Sequence, residues 1–309
     1  MKGLKKIALV AAIAAAPIAS HAGMKALDDT SMGNVTGQAG VTIELETYVE
    51  IGKFTYTDEG TFAVNDIKLG GANASGLLGN EDDGYSAVPG MATQSRTLDD
   101  LKIDIDVAAD GDAVIHVGSI TGAPIDWGMQ AGSMSLNAAD GSESTTLVSN
   151  LKGFGLLGAL DIRVDTATDQ LQLDVAFTVE RMDFDVDFLG VGIRGMTITG
   201  ANAGGEVYDT ADLETLLSRD GSSQAQAFTT DLVALADGSL GKSFAIASVD
   251  VYKGDGLGAS PKTDVLRVDV KDVLMDVNIA QTIIGGASIG TIGIDNLHVS
   301  DTKLAVYGH

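Results

Sequence analysis

Cysteine is absent from the 309 residues. No disulfide staples the fold, no lipid attaches through an N-terminal cysteine, and thiol catalysis is excluded. Cations are scarce: 19 Lys and Arg stand against 43 Asp and Glu, for a formal net charge of −24. A phosphate backbone is bound by Lys/Arg stripes, so this balance excludes nucleic acid as a partner, and it disfavours adsorption to an anionic lipid surface. Four histidines leave little material for acid–base work near neutrality. No apolar run reaches the length needed for a transmembrane helix. Four prolines and 5% aromatic residues beside 39 glycines point to a β-rich chain with many turns rather than a helical bundle.

What is present is apolar enough to fold: 45% hydrophobic, with a mean hydropathy of +0.18. That content argues against disorder. Residues 1–22 read as a secretory signal peptide. Lys2, Lys5 and Lys6 precede an apolar stretch, Ile7 to Ala16, and Ser20-His21-Ala22 forms a small-x-small cleavage site. Removing those three lysines from 19 basic residues leaves 16 against 43 acidic. The reading is an exported protein of a Gram-negative cell, extracellular or at the cell surface, with the periplasm as the alternative. No composition shift divides 23–309, which is expected to be a single β-rich domain.

The dominant period is two. Val41, Ile43, Leu45, Val49 and Ile51 alternate with polar residues, as do Leu101, Ile103, Ile105 and Val107. Leu160, Ile162 and Val164 follow, then Leu171, Leu173, Val175 and Phe177, then Phe184, Val186 and Phe188, and finally Leu266, Val268 and Val270. The intervening positions are often acidic: Asp104, Asp106, Asp174, Asp183, Asp185, Asp187 and Asp269. One-sided strands of this kind belong to antiparallel sheets, because parallel sheets read as continuous apolar runs. The expected class is therefore all-β, mostly antiparallel, as an elongated β-sandwich or β-roll.

A looser pattern recurs three times, in Val64-Asn-Asp-Ile67, Ile193-Arg-Gly-Met196 and Ile294-Asp-Asn-Leu297. The three-residue step breaks the alternation, and residues tolerant of left-handed backbone sit in the gap. A β-bulge or tight bend is expected at 65–66, 194–195 and 295–296. Residues 70–97 read as a long Gly/Asp-rich loop, and 137–146 as a polar turn. Short helices are expected at 211–218 and 225–236.

Chemical motifs are few. Gly153-Phe-Gly155-Leu-Leu-Gly158 has dinucleotide-fingerprint spacing, but a strand pattern follows where a helix is required, so a Gly-rich turn between strands is expected. Gly286-Ala-Ser288-Ile-Gly290 resembles a nucleophile elbow without the following helix; Ser288 reads as a small residue on a packed strand. No enzyme is expected. The acidic turns contain the only metal candidates, with Asp82, Asp83, Asp110 and Asp112 as hard oxygen donors for calcium, and no other cofactor is indicated. An outer-membrane barrel fits the alternation but would want aromatic girdles; the single tryptophan, Trp127, does not supply them.

One stretch carries a family resemblance. Leu27-Asp28-Asp29-Thr-Ser-Met32-Gly-Asn-Val35-Thr36-Gly37-Gln38-Ala39-Gly40 leads into Val41-Thr-Ile43-Glu-Leu45-Glu46. It resembles the start of the mature FilA-like pilus-system proteins of Gram-negative bacteria, and the match is confined mainly to residues 24–46. The resemblance implies a surface or fibre-associated protein and carries over no enzymatic residue. The expected function is accordingly structural or adhesive, within a cell-surface appendage, with other surface proteins or further copies of the chain as partners. The alternative is a carrier of an apolar, lipid-like ligand, suggested by the apolar residues of 273–294; the barrel ranks below both.

Overall fold

The computed structural model describes residues 40–78, 95–108, 110–201 and 244–308. All fall within the unit Gly40–His309. The expected signal peptide, the stretch 24–39, the middle of the Gly/Asp-rich loop and both expected helices lie outside the described residues.

Twelve strands follow: β1 (Val41–Thr47), β2 (Val49–Thr57), β3 (Thr61–Gly70), β4 (Leu98–Val107), β5 (Ala113–Ser119) and β6 (Ile125–Asn137), then β7 (Ser144–Asp165), β8 (Gln170–Val186), β9 (Val191–Thr199), β10 (Ala245–Gly254), β11 (Val265–Ile284) and β12 (Ala287–Val306). They form one sheet, and each of its pairings is antiparallel. The all-β, antiparallel expectation therefore holds. Among the described residues the helical elements are two 3-10 turns, Ala72–Ser75 and Asp187–Leu189. Phe188, expected to continue a strand, lies in the second of these, after β8 has ended at Val186.

The pairing reduces to eight long rows in chain order. β7, β8, β11 and β12 are each a full row. The other four rows consist of two strands laid end to end: β1 with β2, β4 with β3, β5 with β6, and β10 with β9. One half of β7 pairs with β6 and the other with β5. One half of β8 likewise pairs with β10 and the other with β9, and β11 repeats this division. The result is an up-and-down meander in which sequence neighbours are spatial neighbours. Its tightest turn, Gly285-Gly286, joins Ile284 to Ala287 with both φ values positive (58° and 83°), a backbone that glycine adopts at no steric cost.

Long rows are interrupted by kinks. Among the described residues seven non-glycine residues have positive φ, and every one of these is Asp or Asn; five of them, Asp66, Asp100, Asn150, Asn296 and Asp301, lie inside strands. Short polar side chains are the ones that tolerate left-handed backbone. The three expected bends also carry positive φ: Asp66 52°, Gly195 62° and Asn296 56°. Two more sites share the same apolar-x-Asx-apolar pattern: Leu98-Asp99-Asp100-Leu101 and Val148-Ser149-Asn150-Leu151. At 99–100, 150–151, 194–195 and 295–296 the register shifts by one residue against a neighbouring strand. Each bulge restarts the alternation, so apolar residues on both sides of it return to one face.

The kinks line up across the sheet. The Asp66 carboxylate lies over Gly132 of β6; Gly132 sits opposite Asn150, between the pairs Ala131–Leu151 and Ser133–Ser149. Asn150 Nδ2 donates to Asp185 Oδ2 (2.9 Å), and the Gly195 amide donates to Asp183 Oδ1 (2.6 Å). A second line follows the junction between the half-rows, through Asp100, an irregularity at Gly158 and Asn296, whose amide donates to Asp276 Oδ1 (2.6 Å). In two of these places a carboxylate on the adjacent strand accepts the amide that the bulge frees from the ladder.

Several of the most buried side chains cluster near that junction: Phe154, Leu156, Ala159, Ala176, Val179, Ala245 and Leu274. The 3-10 turn Ala72–Ser75, in what was expected to be open loop, packs Ala72 with Leu77, Leu78 and Phe154. Gly153, Gly155 and Gly158, expected in a turn, lie within β7. A Cβ on Gly155 would lie 2.9 Å from the Trp127 ring and overlap the Thr178 carbonyl, and one on Gly153 would lie 2.9 Å from Met182 Cε. These two glycines admit neighbouring groups rather than turning the chain. Ser288 is on a strand, as expected, but an exposed one.

The kinks generate a test. Asn296→Val places a β-branched residue at φ 56° and should lower unfolding free energy by about 1–2 kcal/mol, whereas Asn296→Gly should be close to neutral. Urea denaturation of both variants against the parent protein distinguishes them.

Candidate interaction surface

Alternation gives the sheet two chemically distinct faces, and pairing turns each into rows across the strands. Thr42, Asp104, His116, Asp161, Asp174, Ser248, Asp272 and Ser300 occupy successive cross-strand positions from β1 to β12. Directly opposed residues share a face, so this is one polar line. Its members bond laterally. Thr42 donates to Asp104 (2.7 Å), His116 Nδ1 contacts Asp161 (2.6 Å) and His298 Nε2 contacts Asp272 (2.9 Å). Ser248 is 1% exposed. Asp250, two positions on, is 7% exposed, with Lys271 Nζ at 4.0 Å. Arg267 bonds Asp269 (2.9 Å), which also accepts from Tyr252 (3.0 Å).

Asp112 closes one end of this face. One of its oxygens accepts two bonds from Arg163 (3.0 and 2.5 Å), and the other accepts the Thr166 amide and hydroxyl (2.9 and 2.8 Å). Donation from the Thr166 backbone, then from Arg163 and the Thr166 side chain, pulls its pKa from 3.8 to about 2. Asp110 supports the same turn, its Oδ1 accepting the Asp112 amide (3.1 Å). Of the calcium candidates, these two therefore serve as hydrogen-bond acceptors in a clamp on β5 and β7, and Asp82 and Asp83 lie outside the described residues. Among the described residues there is no group of three or more side chains suited to a metal. Asp126 is buried, and that burial raises its pKa; it accepts the Ala72 amide (2.6 Å) and fixes the 3-10 turn to β6. Arg181 with Asp183 (2.7 Å) and Arg194 with Asp185 (2.6 Å) brace the kink line.

The other face is apolar, and at the ends of the strand order it is open. Val41, Ile43, Leu45, Val49 and Ile51 are exposed on β1 and β2, and Phe54 and Tyr56, of the opposite parity, are exposed on β2 beyond Gly52. At the opposite end Ile289, Ile292, Ile294, Leu304 and Val306 are exposed on β12, and Leu266 on β11. Several acidic side chains are thus better covered than these apolar ones: Asp250 is 7% exposed and Val306 54%. Contiguous exposed apolar residues mark interaction surfaces. Among the described residues β1 pairs with β4 and β2 with β3, so each leaves one edge without a neighbouring strand.

The two ends differ. β12 carries Gly290, Asn296 and Asp301 at positive φ, so its backbone is kinked three times. β1 and β2 contain no positive-φ residue and no proline. All of β2, and all of β1 but Thr47, is exposed. At Tyr48, between them, the Arg96 guanidinium stacks 3.9 Å from the ring centroid, bonds the phenol (2.5 Å) and reaches Glu50 (3.5 Å).

Of the sequence motif of Leu27 to Gly40, only Gly40 is described, directly before β1; Leu27, Asp28, Asp29, Met32, Val35, Thr36, Gly37, Gln38 and Ala39 are not. The lateral contacts of His116 and His298 were not foreseen from the sequence, although each stands on a strand within four positions of an Asp. Residues 1–109 match a family of unknown function, DUF6160. That segment reaches through β4 and so contains the whole β1–β2 edge. No curated protein and no solved structure matches the chain.

The clamp has a pH signature. Because the folded pKa of Asp112 lies below its unfolded value of 3.8, its stabilisation is present above pH 3.8 and is lost as pH falls towards 2. Asp112→Asn should flatten the loss of stability across that window, measured by denaturant midpoints at a series of pH values.

Proposed function

We propose that this protein is an exported structural or adhesive component of a cell-surface appendage, acting through the sheet itself rather than through a reaction centre. The observation that carries the reading is the exposed apolar ends of the strand order, at β1–β2 and β12, beside a polar face on which Arg163, Arg181 and Arg267 are already engaged with carboxylates. Exposed strands with apolar side chains present unpaired amides and carbonyls to other chains. The secretory pattern of residues 1–22 and the resemblance of 24–46 to FilA-like pilus-system proteins favour the same reading. Partners are then other appendage proteins or further copies of the chain, outside the cell or at its surface.

A carrier of a lipid-like ligand is the second reading. It is favoured by the apolar positions shared by β11 and β12, where Ile279 faces Ile292 and Val277 faces Ile294. The barrel ranks third, because β1 and β12 stand at opposite ends of the strand order.

A deletion strain tests the first reading. Loss of surface fibres or adhesion is expected, restored by the full chain expressed in trans. Unchanged fibres and adhesion, with co-purified lipid seen by native mass spectrometry of the purified protein, would favour the carrier.

A further inference from the structure

Among the described residues the two open edges are not equivalent, and the difference points to one of them. Natural sheets blunt an edge with bulges, prolines or lysines. β12 is blunted by its three positive-φ residues and by Lys303. β1 and β2 lack such kinks and prolines, and Lys53 is their single lysine. Their sequence, Val-Thr-Ile-Glu-Leu-Glu-Thr and Val-Glu-Ile-Gly-Lys-Phe-Thr-Tyr-Thr, is rich in the β-branched and aromatic residues that favour extended pairing.

The edge also has a chemical polarity. On β1 the apolar residues Val41, Ile43 and Leu45 alternate with Thr42, Glu44 and Glu46, all exposed. Thr42 lies on the polar line, so Glu44 and Glu46 share its face. Glu50 of β2 adds a third carboxylate. The inward neighbour of Glu44 is Lys102, whose ammonium is 3.0 Å from Asp104.

A strand docking here in antiparallel register places its own alternating residues opposite these. A second copy presenting the same edge would set glutamates against glutamates, and like charges directly opposite are destabilising. We propose that the β1 edge, continued by β2, is a docking site for an extended segment of a partner protein in which apolar residues alternate with Lys or Arg. The segment would add a strand beside β1, its backbone meeting the free amides and carbonyls, its cations facing Glu44 and Glu46, and its apolar residues extending the row of Val41, Ile43 and Leu45. This deepens the appendage reading and rests on it for the partner's location, whereas the docking chemistry is testable on the purified chain alone.

The test uses the full chain and two short synthetic peptides, one alternating Val and Lys, the other Val and Glu. Amide hydrogen exchange, read at peptide resolution by mass spectrometry, should show protection of 41–57 by the Val–Lys peptide and none on β12. Fluorescence anisotropy should show the Val–Lys peptide binding about tenfold more tightly than the Val–Glu peptide. The double variant Glu44→Lys, Glu46→Lys should reverse that preference. Thr42→Pro and Ile43→Pro provide the backbone control. Successive amides point to opposite edges, so one of the two prolines removes an outward amide, and the variant that keeps its native circular dichroism should lose binding. Equal binding of both peptides, protection on β12 instead, or a dimer of this chain that occupies 41–57 and excludes the peptide would each overturn the proposal. A deletion strain with unchanged fibres beside intact peptide docking would overturn the appendage reading and leave the docking site standing.

Discussion

The side-chain period of a strand is two, and the rest of this structure depends on how the chain keeps that period useful over rows of about twenty residues. A strand that long twists, and any slip of one residue sends its apolar set to the wrong face. Here bulges at Asp100, Asn150, Gly195 and Asn296 absorb one residue each, and the bend at Asp66 belongs to the same series. The alternation restarts after each, so the polar line from Thr42 to Ser300 keeps to one face across all the rows, while near the junction that face also buries Ala159, Ala176, Ile246 and Leu274. Left-handed backbone at these sites requires glycine or a short polar side chain, which explains why Asp and Asn occur inside strands that they otherwise disfavour.

The polar face follows from the same register. Carboxylates at alternate positions of neighbouring strands would repel if left alone. The structure answers by distributing its few cations among them: Arg163 to Asp112, Arg181 to Asp183, Arg194 to Asp185 and Arg267 to Asp269. Scarcity of lysine and arginine thus does not leave the charged face unbraced. Arginine suits the task, since its planar fork holds a carboxylate in fixed geometry. The surplus of acid remains at exposed positions such as Glu44 and Glu46, where it gives the open edge its chemical preference.

Much of this was legible in the sequence. Alternating residues from Val41 to Val270 located most strands, and the three-residue apolar step located three of the bends. The same step at Leu98–Leu101 and Val148–Leu151 was equally visible; the first abuts a period-two run that masks it, and the second falls in a segment without strict alternation. Gly153 and Gly155 read as a turn because glycine usually marks one, whereas here the reason lies in Met182, Thr178 and Trp127, groups brought near only by pairing. For the same reason the line from Thr42 to Ser300 was beyond sequence reasoning, as each member is defined by a partner many residues away. Asp112 shows the limit most clearly. Its composition and neighbours resemble a calcium turn, and only the positions of Arg163 and Thr166 reveal a clamp.

Solution NMR of the backbone tests the central claim most directly. Chemical shifts and couplings should report positive φ at Asp66, Asp100, Asn150 and Asn296, each flanked by extended residues, with cross-strand contacts shifting by one position at the last three. Negative φ at those sites within uninterrupted, regular ladders would contradict the account, because the two faces would then have to arise in some other way.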